Sequence, residues 1–200
     1  MLIVRELLLG PLRFSELAKG VGGAPTDVLT RRLRDLEADG IVRRRELERP
    51  ASGTVYELTE VGRELEGPVL DLGRWGLIFY RLEDLPDLVT TSLANALRVI
   101  FDPPEDGETI VLQLRSEGHS NWLRIGGGES SAGRGEADSF DLALSGTAPD
   151  VIGAIAVGGE PEERVEIEGD REALLRLRSW VELPERLRAE VEELGASVVS

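Results

Sequence analysis

Val28-Leu29-Thr30-Arg31-Arg32-Leu33-Arg34-Asp35-Leu36-Glu37-Ala38-Asp39-Gly40-Ile41-Val42 is the stretch on which the reading of the first part of the chain turns. Val28, Leu29, Leu33 and Leu36 recur at helical spacing. Pro25 suits a first helical turn and Gly40 a C-terminal stop, so a helix is predicted between them. Off its apolar stripe stand Thr26, Asp27, Thr30, Arg31 and Arg34. Short hydrogen-bonding side chains and guanidinium forks are the groups that read base edges and hold phosphates.

Upstream, Phe14-Ser15-Glu16-Leu17-Ala18 predicts a shorter helix with Ser15 as its cap and Leu17, Ala18 and Val21 on its apolar face. Gly20, Gly22 and Gly23 then break it, which gives two helices joined by a glycine-rich turn. Downstream, Ile41 to Leu47 reads as a strand, Arg49-Pro50-Ala51-Ser52-Gly53 as a turn and Thr54 to Leu58 as a return strand. A β-hairpin directly behind such a helix is a wing, and Arg43, Arg44 and Arg49 are its candidate phosphate contacts. Thr59 is expected to cap one further helix carrying Val61, Leu65, Val69, Leu70, Leu72 and Trp75. That is more apolar bulk than one small module buries, and it suggests a dimer face.

These motifs, in this order, resemble the HxlR-type winged-helix regulators. The resemblance lies in Leu7 to Leu17 with its Gly10-Pro11-Leu12-Arg13-Phe14-Ser15-Glu16-Leu17 run, in Val28 to Val42, and in Val55-Tyr56-Glu57-Leu58-Thr59-Glu60-Val61-Gly62. It spans roughly residues 1–76. It implies a bacterial dimeric regulator with the second helix in the major groove of double-stranded DNA and the wing on the backbone. Members carry a further helix upstream that commonly completes the dimer interface; the chain begins inside that pattern, which leaves open whether Met1 is the true start. The family's usual wing tip is replaced by Pro50-Ala51-Ser52-Gly53-Thr54-Val55-Tyr56, with Arg49 as the nearest cation.

The net charge of -15 would by itself argue against nucleic acid, because an acidic surface repels phosphates. The average conceals a division. Residues 1–49 hold ten Lys+Arg against eight Asp+Glu, whereas residues 50–200 hold thirteen against thirty. Charge asymmetry of this kind accompanies a nucleic-acid surface attached to something that does not touch it. The chain has no cysteine and one histidine, His119, so disulfides, thiolate chemistry and Cys-based zinc sites are excluded. The apolar start, Met1 to Leu9, is short and carries Arg5 and Glu6, which suits neither a signal peptide nor a membrane span, and a cytoplasmic protein is expected.

A junction is read at Leu82 to Leu85, ahead of Pro86. The expected domains are 1–81, 86–183 and a C-terminal helix or tail over 184–200. In the second, Leu88 to Phe101 predicts a helix. Strands with alternating patterns follow at Ile110 to Arg115, Trp122 to Ile125 and Phe140 to Ser145, read together as an antiparallel meander. A small apolar helix, Val151 to Val157, a strand at Val165 to Glu168 and a helix capped by Asp170 close the unit, with Ala173, Leu174, Leu177, Trp180 and Val181 toward the core. This succession resembles the sterol-carrier-protein fold over about residues 86–183. The fold class expected is therefore α+β, a winged helix-turn-helix domain followed by a sterol-carrier-like domain of mostly antiparallel sheet covered by helices. The second resemblance implies a tunnel for a small apolar ligand, with Trp122, Phe140, Ile152, Ile155, Leu174 and Trp180 as candidate lining.

Catalysis finds no motif. His119 sits in a hairpin-turn sequence without a nucleophile, Gly126-Gly127-Gly128 precedes neither helix nor lysine, and Glu160, Glu162 and Glu163 read as a solvated turn. No enzyme activity, cofactor, metal or membrane association is expected. The leading reading is a DNA-binding regulator, dimeric and responsive to an apolar ligand. Two alternatives stay open: a constitutive regulator with an inert second domain, and an apolar-metabolite or lipid carrier, or dimerisation protein, whose shortened winged helix no longer binds DNA.

Overall fold

A computed structural model of the chain describes residues 1–47, 52–79, 93–116, 118–156 and 165–190. They form helices with one three-stranded and one five-stranded sheet, an α+β arrangement. Two compact units divide at Asp71 and Leu72. The expected junction at Leu82 to Leu85 lies outside the described residues, as do Arg49, Val157, Glu160, Glu162 and Glu163.

In the first unit the order is α1 (Leu2–Leu7), β1 (Leu12–Arg13), α2 (Phe14–Gly20), α3 (Thr26–Ala38), β2 (Val42–Leu47), β3 (Gly53–Leu58), α4 (Glu60–Arg63) and the start of α5 (Glu66–Gly76). Its sheet runs β1-β3-β2, all antiparallel. Ile3, Val4, Leu7, Leu12, Leu17, Leu29, Leu33, Val42, Tyr56 and Leu58 form one buried cluster. That cluster explains why short helices hold: most of their stability comes from burying an apolar stripe, at roughly 1.5–3 kcal/mol per large aliphatic side chain.

Two local expectations need correction. Helix α2 begins at Phe14 and Arg13 takes the cap position, so Ser15 lies inside the first turn; the Glu16 carboxylate accepts the Arg13 amide at 2.6 Å. Ser15, the second helical residue, is past the cap position, and the Glu16 carboxylate three residues beyond the cap reaches back to it. Thr59 does cap a helix, accepting from the Gly62 amide at 3.0 Å, but that helix stops at Arg63 and α5 starts afresh at Glu66. Gly62 explains the tight start. A Cβ there would lie 2.1 Å from the Ile41 carbonyl oxygen, so only glycine lets α4 approach the root of the wing so closely. Gly40 has φ of 70° and ends α3, with Ile41 donating back to the Leu36 carbonyl at 2.9 Å.

The second unit takes the end of α5, a 3-10 turn (Leu77–Phe79), α6 (Leu93–Ile100), β4 (Ile110–Ser116), β5 (His119–Gly126), β6 (Glu129–Arg134), β7 (Leu142–Ser145), α7 (Ala148–Ala156), β8 (Glu166–Gly169), α8 (Arg171–Ser179) and a helical segment over 185–190. The sheet order is β6-β5-β4-β7-β8. Here the meander needs revision. Strands β4, β5 and β6 are antiparallel neighbours, but β7 lies parallel to β4, with Leu112 opposite Leu142 and Leu114 opposite Leu144. Strand β6, Glu-Ser-Ser-Ala-Gly-Arg, was not expected, and Gly126-Gly127-Gly128 is the turn into it. Asp170 caps α8 as read, accepting the Glu172 amide at 2.8 Å.

Cross-strand register divides the second sheet into two faces. Leu112, Leu114, Leu123, Ile125, Leu142 and Leu144 share one, all fully buried. On that face Arg98 of α6 binds Ser130 through its hydroxyl at 3.2 Å and its carbonyl at 2.7 Å. The other face carries Gln113, Arg115, Trp122, Arg124 and Gly133.

Candidate nucleic-acid interface

Helix α3 buries Leu29 and Leu33 and half-buries Val28 and Leu36. At 100° per residue the side opposite that stripe is centred near Asp27, with Arg34 and Arg31 to either side of it and Thr30 at its margin, while Thr26 lies round toward Leu33. Arg31 and Arg34 are exposed and carry no hydrogen bond or ion pair among the described residues. Arg32, one position round, faces Asp35 at 3.7 Å. The Thr30 hydroxyl donates to the Thr26 carbonyl at 2.7 Å, which occupies its proton and leaves its oxygen as an acceptor only. Thr26 is exposed at the first turn.

The wing is organised differently. Alternation along β2 puts Arg44 on the side of Tyr56 and Leu58, and Arg43 and Arg45 on the side of Val55 and Glu57. Arg44 is tied down: its Nε reaches Glu37 of α3 at 3.3 Å, and its guanidinium lies over the Tyr56 ring at 5.3 Å. This couples α3 to the hairpin. On the outer side, Arg43 Nε donates to one oxygen of Glu57 at 2.8 Å and Arg45 Nε to the other at 2.9 Å. Glu57 is 8% exposed under side chains that are 61% and 45% exposed. Burial alone would raise its pKa, but hydrogen bonds and charge from Arg45 and Arg43 more than reverse this, and the carboxyl sits below its usual range. Arg13 continues the same side, donating to the Ser52 carbonyl at 2.9 Å.

Thr30, Arg31 and Arg34 thus share one helix surface, Thr26 is exposed at the first turn but on the side of Leu33, and Arg43 stands on the outer wing with a partner the sequence reading missed. Arg45 and Glu57 went unnoticed there, although alternation in a hairpin of known turn puts Arg43, Arg45 and Glu57 side by side.

The six residues expected to line an apolar tunnel stand in different settings. Ile152, Ile155 and Leu174 are buried on α7 and α8, which Arg178 ties together by donating to the Ala154 carbonyl at 2.9 Å. Trp122 lies on the face away from α6, against Gly133, where a Cβ would meet its indole at 2.6 Å. Phe140 stacks under Arg115, ring centroid to guanidinium carbon 5.5 Å, beside the exposed pair Glu136 and Glu168. Trp180 is half-buried at the end of α8, its carbonyl accepting the Asp102 amide at 2.8 Å. Among the described residues no cluster of His, Asp or Glu could hold a metal ion, and no helix is long and apolar enough to cross a membrane.

A family model described as HxlR-like helix-turn-helix matches residues 1–84. The uncharacterized HTH-type transcriptional regulator YybR of Bacillus subtilis (strain 168) is 42% identical over 67 residues, 34% of this chain and 54% of that protein. YvaP, an uncharacterized HTH-type transcriptional regulator of the same organism, is 34% identical over 74 residues, 37% of this chain and 68% of its own length. The chain thus spans about half of YybR. A solved structure titled UbiJ-SCP2 ubiquinone synthesis protein is 14% identical, covers 64% of this chain and 96% of its own, and has a TM-score of 0.32, too distant a likeness to carry an argument about what the second unit holds.

Proposed function

From the premise that this chain belongs to the HxlR-like helix-turn-helix family, we propose that it is a DNA-binding transcriptional regulator, with α3 in the major groove and the β2-β3 wing on the phosphates. One observation carries this reading. Arg31 and Arg34 project from the exposed side of a helix anchored by Leu29 and Leu33, with no partner among the described residues to neutralise them. Two such guanidiniums on one helix, flanked by a hydroxyl, suit bidentate contacts to base edges and to the neighbouring phosphates, while wing arginines give contacts without sequence information. Acidity elsewhere in the chain does not oppose this, since the potential that matters is local to the interface.

We further propose that the regulator acts as a homodimer. Leu72, Trp75, Ile78 and Phe79 are each about half exposed or more, an unusual density of large apolar side chains over the stretch from the second half of α5 to Phe79. Half-sites one helical turn apart are read by paired recognition helices. Gel-shift titration with duplexes from the gene's own upstream region tests the proposal. Wild-type protein should retard a specific fragment, and Arg31→Ala should relax the preference between that fragment and a scrambled one. Equal retardation of both fragments by wild type, or specificity intact in Arg31→Ala, would overturn it.

A further inference from the structure

Each arginine on the outer side of the wing meets Glu57 through Nε, one to each carboxylate oxygen. This leaves the Nη edges of both guanidiniums without a hydrogen bond among the described residues. A guanidinium presents its donors as a planar fork, and the Nη edge is one of the two edges that can take a phosphate by paired hydrogen bonds. One carboxylate therefore orients two forks whose backbone positions are about 6.7 Å apart along β2. An arginine on a flexible stem loses much rotamer freedom when it captures an anion, and a side chain already held loses less. The carboxylate is itself nearly buried, fixed opposite Arg43 by the β2-β3 register.

We propose that Glu57 is a positioning residue for nucleic-acid backbone contact: it braces Arg43 and Arg45 so that their free edges meet phosphates of one strand. This rests on the DNA-binding reading above and adds to it a role for an acidic side chain inside a basic surface. The chemistry makes an opposed pair of expectations. If Glu57 only cancelled charge, removing it would make the wing more cationic and DNA binding tighter. If it braces, removing it weakens binding although the net positive charge rises.

The test uses the full chain, a fluorescently labelled mixed-sequence duplex and anisotropy titration at several salt concentrations. Glu57→Gln keeps the shape but cannot accept from both arginines through two oxygens. It should bind the duplex roughly three- to tenfold more weakly, the size of one or two lost orienting hydrogen bonds. The double change Arg43→Lys with Arg45→Lys keeps every charge but has no fork to spare once each amine faces Glu57. It should weaken binding to a similar degree without disturbing the fold. In a background of Arg43→Ala with Arg45→Ala, Glu57→Gln should have no further effect. Unchanged or tighter binding by Glu57→Gln, full binding by the lysine pair, or an undiminished Glu57→Gln effect in the alanine background would each overturn the brace while leaving DNA binding standing. A wild type that binds no duplex would overturn both readings together.

Discussion

The salt dependence of duplex binding can be worked out from the side chains on the candidate surface. Arg31 and Arg34 have no partner among the described residues, and Arg43 and Arg45 share one carboxylate, whereas Arg32 faces Asp35 and Arg44 is held between Glu37 and the Tyr56 ring. One unit thus offers four guanidiniums to phosphates and bases, or an effective three if the shared Glu57 charge is discounted. With a slope of about −0.9 per neutralised phosphate, the logarithm of affinity should fall with the logarithm of salt at about −2.7 to −3.6. Between about 50 and 200 mM salt that is roughly a 40- to 150-fold loss per unit, and the slope doubles where two copies bind together. Anisotropy titrations over that range measure it, and Arg31→Ala with Arg34→Ala should lower the slope by up to about two per unit. A slope near zero would refute the assignment of this surface to DNA, whatever the affinity. An undiminished slope in the double variant would move the contact elsewhere.

Leu33 is fully buried in the first-unit core, so Leu33→Ala should cost about 2–5 kcal/mol and lower the melting temperature by circular dichroism; a cost under about 1 kcal/mol would mean α3 is not anchored as described. Thr59 receives the Gly62 amide and donates to the Gly40 carbonyl at 2.6 Å, and Thr59→Ala should cost about 0.5–2 kcal/mol in denaturant titration. The lowered pKa of Glu57 gives a stabilising contribution that is complete above the unfolded-state value and lost as pH falls through the folded one. Wild type should therefore lose stability on acidification below about pH 4.5 more steeply than Glu57→Gln, and parallel acid profiles would contradict the pairing. Ala154, buried on α7, is a volume test: an interior already filled loses stability on Ala154→Phe, whereas normal melting with lost uptake of an apolar fluorescent probe would indicate a cavity there.

What could be read from sequence was local. The spacing of Leu29 and Leu33, the stop at Gly40 and the Thr59 and Asp170 caps each depend on residues within a turn of one another, the hairpin on two strands adjacent in the chain, and the structure holds all of them. Strand β6 escaped because serine, alanine and glycine give no apolar alternation. The parallel partnership of β4 and β7 escaped because no local pattern records which strand will lie beside which. Trp122 differs: the resemblance made it a candidate for the tunnel lining, although alternation sets it opposite in phase to the buried Leu123 and Ile125. The pairing of Glu57 with Arg43 and Arg45 emerges only when β2 and β3 are laid in register.

The parallel pairing of β4 with β7 has a kinetic consequence. Strands β4, β5 and β6 are joined by tight reversals and can zip from their turns within microseconds. Strand β7 must instead find the far edge of β4 across a long intervening chain, and it brings β8 with it as the outermost strand. Closing that loop costs chain entropy before any contact repays it, so the β7-β8 half should be the last part of the sheet to dock. Amide protons of β4 facing β7 would then exchange ahead of those facing β5, and the sheet would open along that seam, exposing Leu112, Leu114, Leu142 and Leu144 to water well before the hairpin half unravels.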